Sequence, residues 1–195
     1  MSWWPPVGGV VSGALLAVSV LPYARDIMRG NARPERASWF IWIVLAVTAF
    51  VTQANTGATW SLFLPGAAVI ETALVFALSL RYASKPFRAK DAIALVAVAG
   101  GVVAWLLTSD ALWALLVTIA VDIAGAVLTM VKAHADPDSE TLAAWVISAL
   151  AAVSALSALG TFSWLLALYP AYLVAANAAV STSIVLGRRR RLATT

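Results

Sequence analysis

The chain has 195 residues, of which 62% are hydrophobic and 11% are charged, with a formal net charge of +4 and no cysteine. Soluble domains carry roughly 25% charged residues, so this composition is typical of a membrane protein with little mass outside the bilayer. The lack of cysteine excludes disulfides, thiol catalysis and cysteine-ligated metals, and the one histidine cannot form a His-rich metal site. We expect no cofactor, no metal and no catalytic residue.

Seven apolar stretches are close to the roughly 20 residues that an α-helix needs to cross a bilayer. In chain order they cover residues 7–28, 38–55, 59–81, 92–108, 111–133, 141–158 and 161–186. The polar loops between them are short. We therefore predict an all-α membrane protein with seven transmembrane helices.

All 13 Lys and Arg residues fall on one side of this predicted bundle. They lie near the ends of spans one, three, five and seven: Arg25, Arg29, Arg33, Arg36, Arg81, Lys85, Arg88, Lys90, Lys132 and Arg188 to Arg191. The positive-inside rule places that side in the cytoplasm, so we predict an inner or plasma membrane protein with its N-terminus outside and its C-terminus inside. The terminal arginine run is then a topology anchor, and we expect no nucleic-acid partner.

Three polar side chains lie near the middle of predicted spans: Glu71 in span three, Asp122 in span five and Asn177 in span seven. An ionisable group at that depth is costly and by default indicates a functional site. Each carboxylate either contacts a substrate or a coupling proton, or hydrogen-bonds a neighbouring helix. Asn177 either contacts substrate or clamps two helices together.

Aromatic residues and prolines add further candidates. Trp39, Trp42 and Trp145 lie near cytoplasmic helix starts, where they either form an aromatic belt or line a cavity. Pro65 in span three and Pro170 in span seven each remove a backbone hydrogen bond, which allows a bend with or without a gating role. The acidic loop over 136–140 is expected to be solvated.

An internal repeat organises these features. A shift of 106 residues places Trp39 on Trp145 and Glu71 on Asn177. Spans one to three and five to seven then form two copies, and span four connects them so that both copies enter the membrane from the same side. We predict two parallel three-helix repeats over 1–86 and 110–195, joined by a linker helix over 87–109.

The loop sequences carry a resemblance to a known family. Leu21-Pro22-Tyr23, followed by Gly30, Pro34, Ser38-Trp39 and Trp42, resembles a PQ-loop motif with Tyr at the Gln position, and 136–141 with Trp145 resembles the corresponding loop of a second repeat. The chain is similar to the PQ-loop superfamily of SWEET-type transporters over nearly its whole length. The resemblance implies three-plus-one-plus-three helices and a central cavity that alternates between the membrane faces. It also implies a hinge at Pro22, substrate contact by Asn177 and nearby Trp side chains, with Glu71 at the matching position of repeat one.

The leading hypothesis is a transporter for a small polar solute, a sugar or another small metabolite, in which the two carboxylates favour proton coupling or a positively charged substrate. The alternative is a seven-helix receptor, sensor or cargo-binding protein of the PQ-loop type. A retinal protein is excluded because span seven has no Lys. An enzyme is not expected, since no nucleophile–base pair is evident. The expected partners are a small-molecule substrate and the lipid bilayer, and a homo-oligomer stays open.

Overall fold

The computed structural model describes residues 4–55, 59–82, 111–159 and 163–193, together with the helical positions Ala92, Val96 and Gly100. This part of the chain contains helices and no strand. The α-helices are α1 (Trp4–Met28), α2 (Arg36–Asn55), α3 (Phe63–Tyr82), α4 (Ala111–Ala135), α5 (Leu142–Ser157) and α6 (Trp164–Ala193). Short 3₁₀ helices at Trp60–Leu62 and Pro137–Ser139 come before α3 and α5.

The six α-helices match six of the seven predicted spans. The fourth predicted span, 92–108, and the linker over 87–109 lie outside the described residues except at the three helical positions above. At its C-terminal end α6 runs past the predicted limit of residue 186 and carries the arginine run to Ala193. That run is therefore a helical extension of the last span.

Five helices are long and apolar enough to cross a membrane, with α3 and its preceding 3₁₀ turn forming one such stretch. The exception is α5, which has 16 residues. At roughly 1.5 Å per residue it extends about 24 Å, short of the roughly 30 Å hydrocarbon layer. A tight turn directly after Ser157 limits its length.

The distribution of side chains is inverted relative to a water-soluble bundle. Large apolar residues such as Trp164, Ile70 and Val131 are 82%, 71% and 66% exposed, respectively. Polar residues such as Ser19 and Asp122 are buried. Contiguous exposed apolar surface of this kind is rare on soluble monomers, so the fold is compatible with an integral membrane protein.

The helices form a closed ring in the order α1, α3, α2, α4, α6, α5 and back to α1. Within the first half of the chain α3 packs against both α1 and α2, and within the second half α6 packs against both α4 and α5. Between the halves α1 meets α5 and α2 meets α4. Exchanging α1 with α4, α2 with α5 and α3 with α6 therefore leaves the six main pairs of neighbours unchanged.

Two contacts fix the direction of the helices. The Arg36 guanidinium at the start of α2 donates to the Ser79 carbonyl near the end of α3, and Lys132 near the end of α4 donates to the Arg33 carbonyl just before α2. The C-terminal ends of α3 and α4 therefore lie together, and we call this the basic end of the bundle. It follows that α3 ends and α4 begins at opposite ends of the bundle.

Close packing at the other end depends on two glycines of α1. A Cβ on Gly9 would lie 2.3 Å from the Trp60 carbonyl oxygen, and one on Gly13 would lie 3.0 Å from Phe63 Cβ. Glycines four residues apart on one helix face let a neighbouring backbone approach closely. The 3₁₀ turn before α3 lies against α1 for this reason.

Candidate binding cavity

A cavity of about 110 Å³ lies inside the ring of helices. Every one of the six described helices contributes side chains to its wall. Half of the lining residues are Leu, Ala or Val, and the other half are polar or aromatic.

All six residues predicted to bind substrate line this one cavity. They are Trp39, Trp42, Glu71, Asp122, Trp145 and Asn177. They come from α2, α3, α4, α5 and α6 and are up to 138 positions apart in the chain, from Trp39 to Asn177. Their convergence follows from the helix ring, and their role in binding stays a prediction.

Asp122 lies on α4 and is 7% exposed. The Trp42 indole N–H donates to its Oδ1 at 2.8 Å, which joins α2 of the first half to α4 of the second. One turn further on, Gly125 leaves room for the indole, because a Cβ there would lie 3.1 Å from Trp42 Nε1. The carboxylate is thus held by a neutral donor.

Glu71 projects from α3 and is half-buried. The Ser19 hydroxyl of α1 lies 3.0 Å from Glu71 Oε1 and 2.7 Å from the Leu16 carbonyl oxygen. A hydroxyl has one proton to donate, so Ser19 shares it between these two acceptors. Glu71 is therefore only partly satisfied by its neighbour.

Asn177 does not form the clamp between two helices that was one of the two expectations for it. Its amide nitrogen donates to the Leu173 carbonyl of its own helix at 2.7 Å. The amide therefore does not join two helices, and its second N–H and its oxygen are left for a ligand.

Four aromatic rings form a continuous wall from α1 to α5. Ring centroids are 5.4 Å apart for Tyr23 and Trp39, 4.8 Å for Trp39 and Trp42, and 5.9 Å for Trp42 and Trp145. Both Trp–Trp pairs are close to perpendicular, at 89° and 72°. The three tryptophans therefore line a cavity, which is one of the two locations expected from their positions in the sequence.

Beneath this wall, toward the basic end, lies a buried acid that sequence reasoning missed. Glu140 is 4% exposed, so the expectation of a solvated acidic loop is wrong at this position. Its Oε2 accepts from the Tyr23 hydroxyl at 2.8 Å and from the Trp145 indole at 3.1 Å, and Lys132 forms an ion pair with Oε1. No signal in the sequence pairs Glu140 with Tyr23, since the two are 117 residues apart.

The predicted hinge prolines occupy two kinds of position. Pro22 lies inside α1 and Pro170 inside α6. Pro65 lies in the first turn of α3, directly after a 3₁₀ helix, and not in the middle of the span. Any bend at Pro65 is thus at the end of the helix, and the hinge roles of all three stay predictions.

The ionisable side chains of Glu71 and Asp122 give the described cavity wall acidic groups only. Among the described residues its lining contains two carboxylates and no Lys, Arg or His. No group of three His, Cys, Asp or Glu side chains able to hold a metal ion occurs in the described ranges. The site as described suits a ligand that brings hydrogen-bond donors or positive charge.

Comparison of the chain with protein-family models, with curated proteins and with solved structures gives no significant match.

Proposed function

We propose that this protein transports a small polar solute across a membrane by alternating access of two three-helix halves. The observation that carries the proposal is the central cavity, to which all six described helices contribute and which Glu71, Asp122 and Asn177 all line. A polar site at mid-depth between two helical repeats is the arrangement that repeat-built transporters use.

The neighbour pattern of the ring supports a three-plus-one-plus-three organisation. Each half has its third helix between the other two, and the halves meet through α1 with α5 and α2 with α4. Since α3 ends and α4 begins at opposite ends of the bundle, one further crossing is needed between them. The fourth predicted span supplies that crossing in our proposal, and the two halves are then parallel repeats.

The resemblance to PQ-loop transporters supports the same function. Tyr23 and Trp39 of the motif-like segment lie beside the cavity, and the pair related by the repeat, Glu71 and Asn177, lines it from α3 and α6.

Alternation requires contacts between the halves to break, and those contacts are concentrated at the basic end. Tyr23 donates to Glu140, Thr141 donates to Asp26 at 2.7 Å, and Arg33 pairs with Asp136. With the basic end in the cytoplasm, as the positive-inside rule places it, opening toward the cytoplasm would separate these pairs. The carboxylates of the cavity also offer a place for a coupling proton.

Flux into sealed proteoliposomes tests the proposal. Labelled glucose, uridine, choline and lactate are offered separately, and we expect saturable uptake of one class. Ala68 lines the cavity, whereas Ile70 on the same helix is 71% exposed. Ala68→Phe should therefore abolish uptake and Ile70→Phe should leave it unchanged, with both variants first shown to be monodisperse.

The receptor alternative predicts a different pattern. A receptor or cargo-binding protein binds its ligand in the cavity but moves none of it into the vesicle. Binding of a probe without saturable flux, in vesicles shown to be sealed, contradicts transport and favours that alternative.

A further inference from the structure

We infer that the cavity selects a small organic cation, with an ammonium-type head held by Asp122 and Glu71 against the tryptophan wall. The inference concerns what the cavity binds. It rests on the proposed function only in taking the bound cation to be the solute that is transported. It is carried by the balance of donors and acceptors, by ring geometry and by size.

The first argument is that three of the polar donors in the wall already have acceptors within the protein. The Asn177 amide donates to Leu173, and the Thr72 hydroxyl donates to the Ala68 carbonyl at 2.7 Å. The Trp42 indole donates to Asp122. A sugar presents many hydroxyl groups that need both donors and acceptors, and each one left unpaired on burial costs free energy.

The second argument is that acceptors remain. An ionised carboxylate has about four sites for hydrogen bonds. Asp122 accepts from Trp42, and Glu71 accepts a shared bond from Ser19. The two carboxylates therefore have unused acceptor capacity toward a ligand. In the described lining no cationic side chain accompanies them, so a bound cation would supply the missing positive charge.

The third argument concerns the aromatic wall. Trp39 and Trp42 are perpendicular to each other, and so nearly are Trp42 and Trp145. Rings in this arrangement turn their faces in different directions, as in the aromatic cages that bind quaternary ammonium groups. Cation–π contacts are strongest where the cation is removed from water. An anion placed over the same faces would be repelled, because the face of an aromatic ring carries the negative part of its quadrupole.

The fourth argument is size. The cavity of about 110 Å³ is comparable to the roughly 150 Å³ engineered cavity that takes up benzene. It fits a compact ligand of a few heavy atoms. The aliphatic part of the wall, which includes Leu16, Leu45 and Leu173, suits methyl or methylene groups around the charged centre.

A pair of probes of equal shape isolates the charge. Choline and its neutral carbon analogue 3,3-dimethyl-1-butanol differ only in the central nitrogen. Binding to the purified protein in nanodiscs is followed by quenching of tryptophan fluorescence and by the melting temperature, at constant ionic strength. We expect choline to bind saturably and the neutral analogue to bind at least tenfold more weakly.

Two acidic residues give the matched variants. Asp122→Asn should weaken choline binding at least tenfold, because it removes the charge inside the cavity. Asp138→Asn should leave it unchanged, because Asp138 is exposed at the basic end, where it pairs with Arg191. Trp42→Phe should weaken binding without abolishing it.

Several outcomes overturn the inference. Equal binding of the two probes does so, as does full choline affinity in Asp122→Asn, or no saturable binding of choline, tetramethylammonium or ethanolammonium. Transport of glucose or lactate in the flux assay, with no cation bound, refutes the cation site and leaves the transporter standing. Choline binding without flux supports the cation site and contradicts the transporter.

Discussion

At the scale of single residues, the hydrogen bond from Trp42 to Asp122 joins the two halves inside the cavity. A buried acceptor that loses its donor keeps its desolvation cost, which is larger than the net value of the bond itself. The effect of replacing Trp42 should therefore depend on whether the carboxylate is present.

A double-mutant cycle measures this dependence. Trp42→Phe should lower the free energy of unfolding more in the native chain than in Asp122→Ala, with a coupling energy of about 1–2 kcal/mol. Chemical unfolding in mild detergent provides the four values. Trp164→Phe serves as the control because Trp164 is 82% exposed, and it should show no coupling to Asp122. A coupling energy near zero for Trp42 and Asp122 would mean that the hydrogen bond contributes nothing to the free energy of unfolding.

At the residue level, the sequence marks a candidate where a residue differs in polarity from its local surroundings, and the binding role of such a residue stays a prediction. Glu71 and Asp122 stand alone in apolar runs, so the cost of placing them in lipid marks them without any knowledge of the fold. Glu140 lies among other acids before a helix, where a solvated position is the normal expectation. Its burial depends on Tyr23 and Lys132, which only the folded chain brings to it.

At the scale of elements, the loop before α5 is fixed to the rest of the bundle by two kinds of ion pair. Lys132 and Glu140 have side chains that are 18% and 2% exposed, whereas Arg191 and Asp138 are 50% and 64% exposed. Breaking a buried pair leaves an uncompensated charge, and breaking an exposed pair changes little.

Matched substitutions in the two pairs test this difference. Glu140→Gln should lower the free energy of unfolding by roughly 3–5 kcal/mol, because Lys132 then lacks its partner. Asp138→Asn should cost no more than about 1 kcal/mol. Thermal melts of both variants in the same detergent provide the comparison. Equal effects would show that the Glu140 pair is as solvated as the surface one.

The existence of the elements could be predicted from hydropathy, but some of their limits could not. Apolar length alone located six of the helices to within a few residues at most ends. The 3₁₀ turn at Trp60–Leu62 depends on contact with the glycines of α1, and the continuation of α6 to Ala193 involves ion pairs of Arg191 with Asp136 and Asp138. Such limits are set by tertiary contacts.

At the scale of the whole molecule, the order of the helices around the ring is the feature that brings distant residues together. The repeat in the sequence predicts two equivalent halves, and the neighbours of each helix agree with that equivalence. The sequence does not specify which helices meet between the halves. The pairing of α1 with α5 and of α2 with α4 creates the cavity and joins Trp42 to Asp122.

The orientation of the bundle gives a prediction at this scale. The native chain has no cysteine, so single cysteines report accessibility without background. A membrane-impermeant maleimide applied to intact cells should label Ser163→Cys, which precedes α6 at the end opposite the basic one. Arg189→Cys should be labelled only after the membrane is permeabilised. The reverse pattern would contradict the orientation that we derive from the basic residues.

Accessibility of the cavity itself tests the central claim most directly. Ser148 on α5 lines the cavity, and Ser148→Cys changes one atom of the side chain. Right-side-out and inside-out sealed vesicles are prepared separately, and each is treated with an impermeant thiol reagent. Alternating access predicts labelling from either face, with choline at saturating concentration slowing both reactions. Labelling from one face alone, with and without choline, would contradict a transporter and would favour a receptor with a one-sided pocket.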